Sequence, residues 1–270
     1  MTELEALRAN LRQLNLKRIE AIFEAEANRA VSVTSSYTGY LGRLIEEELS
    51  AKTERSVNWR LRKARFPMVK TIESFNYRFQ PSVSEALIKE LSELGFLDRT
   101  ENIMLLGPPG VGKTHLAIGF GVKACAAHRR VRFVPAMELM DELVAATVVH
   151  ELSTKLDALS RLDLLIVDEL GYLPMDKQRA NLFFQLVSRC YEETSLVITS
   201  NKAFNQWGEV FGDAVIASAI LDRLLHHSQI IAIQGESYRV RDKRAQTVDK
   251  TRSADDNETA RKEQPEGGQN

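Results

Sequence analysis

The sequence predicts an α/β protein: a five-stranded parallel sheet flanked by helices, with a small helical domain ahead of it. Three observations carry this prediction. From residue 102 onward, short runs that are apolar throughout, such as Leu164-Leu165-Ile166-Val167 and Leu196-Val197-Ile198-Thr199, alternate with stretches of helical periodicity. Strands apolar on both faces belong to parallel sheets covered by helices on each side. Between the first such run and the helical pattern after it lies the glycine-rich segment Gly107-Pro108-Pro109-Gly110-Val111-Gly112, and before residue 67 the apolar residues recur at helical spacing.

In chain order, Leu4, Leu7, Leu11 and Leu14 line one helical face, and Ile19, Ile22 and Phe23 continue it after a break near Asn15. Thr34-Ser35-Ser36 offers N-caps for a further helix carrying Tyr37, Tyr40, Leu41, Leu44, Ile45 and Leu49. That helix turns basic at Lys52, Arg55, Arg60, Arg62, Lys63 and Arg65, opposed by Glu54, before Pro67 closes it. Trp59 within it is either a core anchor or a base-stacking platform, the anchor being favoured. Residues 1–66 thus read as an N-terminal helical domain too poor in apolar residues to stand firmly alone.

Residues 67–101 read as a connector with turns at Pro67 and Pro81, a helix from Ser84 to Leu94 ended by Gly95, and a short extended piece at Phe75, Tyr77 and Phe79. Over residues 102–240, strands are expected at Ile103–Leu106, Val131–Val134, Leu164–Val167, Leu196–Thr199 and Ile230–Ile233. Helices lie between them, including Met137–Val149, Lys177–Glu192 and Ser218–His226. Residues 241–270 carry almost no large apolar side chain and end EQPEGGQN, the composition of a disordered tail.

Bulk composition excludes several classes. With 44% hydrophobic and 27% charged residues over 270, a packed core is possible. A formal net charge of −1 gives no global pull toward nucleic acid, so any basic patch must be local. Cys125 and Cys190 have no metal-like spacing and are expected to be buried in a reducing compartment. No apolar run is long enough to span a bilayer and MTELEALRAN has no signal-peptide core, so a cytoplasmic location with no membrane role is expected.

Chemistry concentrates at the strand ends. Gly107 to Thr114 fills every position of the pattern GxxxxGK[ST] between a strand and a helix. Glycines let backbone wrap a phosphate without a Cβ in the way, and the loop amides with the helix N-terminus face the anion. Lys113 would reach the β- and γ-phosphates of ATP and the Thr114 hydroxyl would ligate Mg²⁺; Pro108, Pro109, Val111 and His115 complete the candidate nucleotide contacts. Asp168, at the carboxyl end of an apolar strand, is placed to hold Mg²⁺ through water. Glu169, next to it, suits a general base acting on water. Asn201 follows the strand Leu196–Thr199 and is either a turn residue or, the favoured role, the amide that holds the attacking water or the γ-phosphate.

Arg223 and Arg239 are candidates to stabilise charge in phosphoryl transfer, with surface ion pairs the alternative for each and Arg189 a weaker rival. The aromatics at 75, 77 and 79 either pack against the core or line an adenine site, packing being favoured. The basic stretch at 52–65 is either a phosphate-contacting face for DNA or a solvated helix face.

Taken together, GPPGVGKTHLA, LLIVDELGYLP, SLVITSN, QWGEVFGD, AILDRLLHHS and GESYR resemble the IstB-type transposition helper ATPases, AAA+ proteins similar also to the DnaC helicase loader. The resemblance runs from residue 1 to about Arg241. It implies an AAA+ ATPase domain, with Lys113 and Thr114 as Walker A residues, Asp168 and Glu169 as the Walker B pair, and Asn201 at sensor 1. Arg223 matches the arginine finger that acts on a neighbouring subunit's nucleotide, and Arg239 matches sensor 2. It further implies N-terminal helices that contribute to DNA binding, a homo-oligomer with ATP at its subunit interfaces, double-stranded DNA as ligand and a transposase as partner. No helical bundle follows the last strand, so a typical lid is reduced or absent. One departure is Val148-Val149-His150-Glu151-Leu152, which lacks a glycine expected from relatives. The expected function is ATP-dependent assistance of a transposase on target DNA; the alternative is a DnaC-like loader of a replicative helicase. A small-molecule kinase would leave Glu169 and the DRL and SYR segments without a role.

Overall fold

Three helices, α1 (Glu3–Gln13), α2 (Lys17–Ser32) and α3 (Tyr37–Ala64), make up the first of two structural units in the computed structural model, which describes residues 2–238; the division falls between Lys63 and Ala64. Helix α1 opens on a capping box, Glu5 N–H donating to Thr2 Oγ1 at 3.2 Å and Thr2 N–H to Glu5 Oε2 at 2.7 Å. Asn15 and Thr34 take left-handed φ values of 56° and 50° at the two turns. The buried core of this unit is small: Leu11, Ile19, Phe23 and Leu44, with Leu16, Ile22 and Tyr40 packed against it.

Helix α2 has no cap of its own, because Leu16 precedes it. The buried Glu48 of α3 supplies one, accepting from the backbone N–H of Arg18 at 2.7 Å and of Ile19 at 3.0 Å, with the Arg55 guanidinium at 2.8 Å. Burial pushes the Glu48 carboxyl up. The Ile19 and Arg18 amides and Arg55 outweigh it and hold the group below the usual carboxylate range. Two expectations fail here. Trp59 is 53% exposed, with Lys63 Nζ 5.6 Å over its ring, and so is no core anchor. Only part of the predicted apolar face of α3 packs; Tyr37, Leu41, Ile45 and Leu49 form an exposed row at i, i+4 spacing.

In the second unit the connector carries a 3₁₀ turn at Ile72–Ser74, then α4 (Glu85–Ser92), capped by Ser84, and α5 (Gly95–Asp98). Phe75, Tyr77 and Phe79 do not form an extended piece; the N–H groups of Phe79 and Gln80 both donate to Asn76 O, closing a turn. Leu94, not Gly95, takes the left-handed conformation after α4 (φ 65°), held there by its buried side chain, and Gly95 opens the next helix.

The sheet follows: β1 (Asn102–Leu106), β2 (Val131–Pro135), β3 (Leu164–Leu170), β4 (Ser195–Ser200) and β5 (Ser228–Ala232), all parallel, in the order β2-β3-β4-β1-β5. Helix α6 (Lys113–Ala126) packs on one face, so closely that a Cβ at Gly121 would lie 2.8 Å from Ile166 Cδ1. Helices α7 (Ala136–Val148), α8 (Leu152–Ser160), α9 (Lys177–Cys190), α10 (Trp207–Phe211) and α11 (Ala214–His226) bury the other, where Met104, Leu165, Val167 and Ile198 join the main apolar cluster. Alternate residues of each strand thus serve opposite layers, as the apolar runs predict. Helix α8 is not anticipated by the sequence pattern. His150 stands at the turn before it with φ 60°, a left-handed conformation formed here without the glycine expected in this segment. Helix α11 starts earlier than expected because Asp213 accepts from the N–H of Val215 and Ile216.

The resulting fold is an AAA+-like α/β domain with an N-terminal helical extension; among the described residues no helical bundle that would form a lid follows β5. No helix among them is long and apolar enough to cross a membrane. Cys125 and Cys190 are both buried and neither is in a disulfide, and burial pushes the Cys190 thiol up to about 12. The expected 241–270 tail lies outside the described residues.

Candidate active site

The glycine-rich segment leaves β1 at the carboxyl edge of the sheet, Gly107 N–H donating to Ser200 O at 3.1 Å. Two of its glycines are required by close approach as well as by φ. A Cβ at Gly107 (φ 150°) would stand 2.1 Å from Ile233 O, and one at Gly110 (φ 81°) would stand 2.0 Å from Ser237 Oγ. The segment after β5 therefore lies directly over the loop, pinned by Ile233 N–H to Leu106 O at 2.7 Å and Tyr238 N–H to Gly110 O at 3.0 Å. Lys113 Nζ turns back on the loop and donates to Gly107 O at 2.6 Å and Pro108 O at 2.7 Å.

Across the edge, Thr114 Oγ1 lies 2.9 and 3.1 Å from the two carboxylate oxygens of the buried Asp168. Strand β3 is irregular at this point. Val167 pairs with Ile198 and Leu170 with Ser200, so Asp168 and Glu169 together stand opposite the single residue Thr199. Two residues against one is a β-bulge, a device that re-aims side chains. Glu169 takes φ 60° there, a conformation costing a side-chain-bearing residue roughly 1–2 kcal/mol. Its side chain is exposed and lines a cavity of about 650 Å³ that also meets Lys113, Thr114, Thr199 and Asn201. The buried Thr199 hydroxyl donates to Asp168 Oδ1 at 2.6 Å and accepts from Glu169 N–H at 2.8 Å.

Asn201 Oδ1 is buried with no hydrogen-bond partner among the described residues. A buried amide acceptor left unmatched points to a ligand or water that would satisfy it. With the hard oxygens of Thr114 and Asp168, the Lys113 ammonium and a loop whose glycines keep Cβ atoms away, the residues present fit a magnesium nucleotide.

His115 lies on the cavity wall with Nε2 2.9 Å from Thr71 O and 3.1 Å from Ser74 Oγ, its ring edge-on to Phe75. Burial pulls its imidazole below the ordinary range; the Thr71 carbonyl opposes this and Lys70 adds to it. It links α6 to the connector through the Thr71 carbonyl, which accepts from Nε2–H. The aromatics pack: Phe75 against Tyr77, and Phe79 on Tyr238, whose hydroxyl donates to Asn76 O at 2.8 Å.

Other candidates lie elsewhere. Arg223 is not on this cavity; its guanidinium sits 4.8 Å over the Phe184 ring and donates to Ala219 O. Arg189 is paired with Asp157 at 2.7 Å. Arg239 lies outside the described residues. Lys52, Arg55, Arg62 and Lys63 share one side of α3 with Trp59 and are exposed; Arg60 turns back to Ser56, and Arg65 follows the helix end with φ 60°. Sequence reasoning missed Thr199, although a hydroxyl within the otherwise apolar run LVIT was the available signal.

The model of the family of IstB-like ATP-binding proteins matches residues 9–246. A protein of Pseudomonas aeruginosa described as an insertion sequence IS21 putative ATP-binding protein is 46% identical, over 90% of this chain and 91% of its own. An insertion sequence IS5376 putative ATP-binding protein of Geobacillus stearothermophilus is 44% identical, over 87% and 93%. Among solved structures, AMPPCP-bound DnaA from Aquifex aeolicus superposes with a TM-score of 0.50 at 21% identity, over 61% of this chain and 50% of that one, a likeness of fold.

Proposed function

The chain belongs to the family of IstB-like ATP-binding proteins, and from that premise we propose that it hydrolyses ATP and serves a transposase by assembling on double-stranded DNA. The observation that carries the catalytic part is the meeting of Thr114 with Asp168 at 2.9 Å beneath the glycine loop, with Glu169 next in sequence and facing the same cavity. The loop amides and the N-terminus of α6 bind the phosphates. Lys113 exchanges the carbonyls of Gly107 and Pro108 for phosphate oxygens. Thr114 and, through water, Asp168 would hold Mg²⁺, which when bound would offset the charge of the phosphate oxygens. Glu169 accepts the proton of the attacking water, and the free Asn201 Oδ1 orients that water. Arg223 of a neighbouring copy supplies positive charge to the γ-phosphate, which accounts for its absence from the cavity of its own chain. Arg239, one residue beyond the cavity-lining Tyr238, is assigned to the same nucleotide.

Relatives described as insertion-sequence ATP-binding proteins support the transposition context. The basic side of α3, with the exposed Trp59 among its cations, supports contact with DNA, and the apolar row at Tyr37, Leu41, Ile45 and Leu49 supports self-association of that unit. Electron microscopy of stained particles with duplex DNA and ATP tests the whole proposal. Glu169→Gln is expected to accumulate as DNA-bound oligomers; monomers under those conditions overturn it. Nucleotide-dependent assembly with no affinity for duplex DNA would favour the helicase-loader function instead.

A further inference from the structure

We infer that Thr199 is a positioning residue for ATP hydrolysis, a single hydroxyl that sets both the magnesium-side carboxylate of Asp168 and the backbone of the general base Glu169. This rests on the hydrolytic function proposed above. The geometry is that of the bulge. Asp168 and Glu169 both face Thr199, and in a regular strand successive side chains would point to opposite sides of the sheet. Something must hold the second of the two residues in its left-handed conformation, and Glu169 N–H has Thr199 Oγ1 as its partner at 2.8 Å.

A hydroxyl has one proton to give. With the Glu169 amide on its acceptor side, Thr199 directs that proton to Asp168 Oδ1, 2.6 Å away. Asp168 is thereby gripped from two sides, by Thr199 on β4 and by Thr114 at the start of α6. Replacing the hydroxyl with a methyl removes both bonds at once. The Asp168 carboxylate then loses a donor that fixes its rotation, and the peptide carrying Glu169 loses the bond that stops it relaxing toward a regular strand. Thr199 is fully buried within β4, and its γ-methyl and backbone are not what the two acidic residues use. A purely structural threonine would tolerate valine.

The test compares Thr199→Val and Thr199→Ser with the wild type in steady-state ATP hydrolysis at varied Mg²⁺, with nucleotide binding and thermal melting alongside. For valine the expectation is nucleotide affinity within about threefold of wild type, kcat at least tenfold lower, half-saturating Mg²⁺ at least threefold higher, and faster exchange of the Glu169 amide. Serine should restore kcat to within threefold. If valine folds poorly, serine against alanine decides the same point, and equal rates in those two overturn the inference. A wild type without ATPase activity overturns the proposed function and this inference with it. An active wild type matched by Thr199→Val, with unchanged Mg²⁺ requirement, overturns this inference alone.

Discussion

Lys113 holds its ammonium against two carbonyls of its own loop, so under the proposed function its removal would delete a phosphate ligand without touching the sheet. Lys113→Ala is expected to melt within a few degrees of wild type yet bind a fluorescent ATP analogue at least ten times more weakly. Glu169 behaves oppositely: it is exposed, and glutamine keeps its shape. Glu169→Gln should bind nucleotide normally and lose about 10²–10⁴ in kcat, the usual worth of a positioned base. Arg223 and Arg189 separate cleanly. Arg189 is tied to Asp157 on the surface, whereas Arg223 rests on Phe184 and donates to Ala219 O of its own helix. Arg223→Ala should retain binding and lose roughly 10³–10⁵ in turnover. Arg189→Ala should keep its turnover; the reverse pattern in a phosphate-release assay would move the finger to Arg189.

At the scale of elements, α2 begins on a leucine and depends on α3 for its cap. Glu48 has its carboxyl pKa lowered in the folded chain, so its contribution is complete above the unfolded carboxylate range and is lost as pH falls through the lower folded value. Hydrogen exchange at the Arg18 and Ile19 amides should therefore accelerate on acidification below the carboxylate range. In Glu48→Gln the protection should be weak at neutral pH and nearly flat with pH, at a cost of about 2 kcal/mol for the lost charged hydrogen bonds. The glycine loop depends on another element in the same way. Gly110→Ala forces a methyl to within 2.0 Å of Ser237 Oγ, so the segment over the loop must shift and nucleotide affinity should fall even where the fold survives.

For the molecule as a whole, charge is nearly balanced at −1, so the DNA contact proposed above would have to come from a local face. If Lys52, Arg62 and Lys63 of α3 reach phosphates, the logarithm of affinity should fall with that of salt at a slope of roughly −3, and replacing Lys52 and Lys63 together should shrink it by about 2. Trp59→Ala should leave the melting temperature nearly unchanged, since the side chain is 53% exposed, while weakening duplex capture. Filter binding across a salt series checks both; a flat salt response would remove the basic face from the interaction.

The features legible in the chain were those made by neighbours in sequence. A strand running into glycines, a lysine and a threonine is one contiguous segment, and its conformation follows from φ freedom and helix start signals alone. Strands buried on both faces announce themselves by unbroken apolar runs, and Asp168 at the end of one of them must lie at the ligand edge of a parallel sheet. Tertiary structure decided whatever depends on a partner far along the chain. Glu48 as the cap of α2, Leu94 rather than Gly95 in the left-handed turn, and Trp59 facing solvent each turn on which surface another element covers. The bulge at Asp168-Glu169 has no glycine to signal it; it exists because pairing with β4 on either side leaves two residues opposite Thr199. Local sequence determines which groups a segment carries, and only the register between strands determines which of them meet.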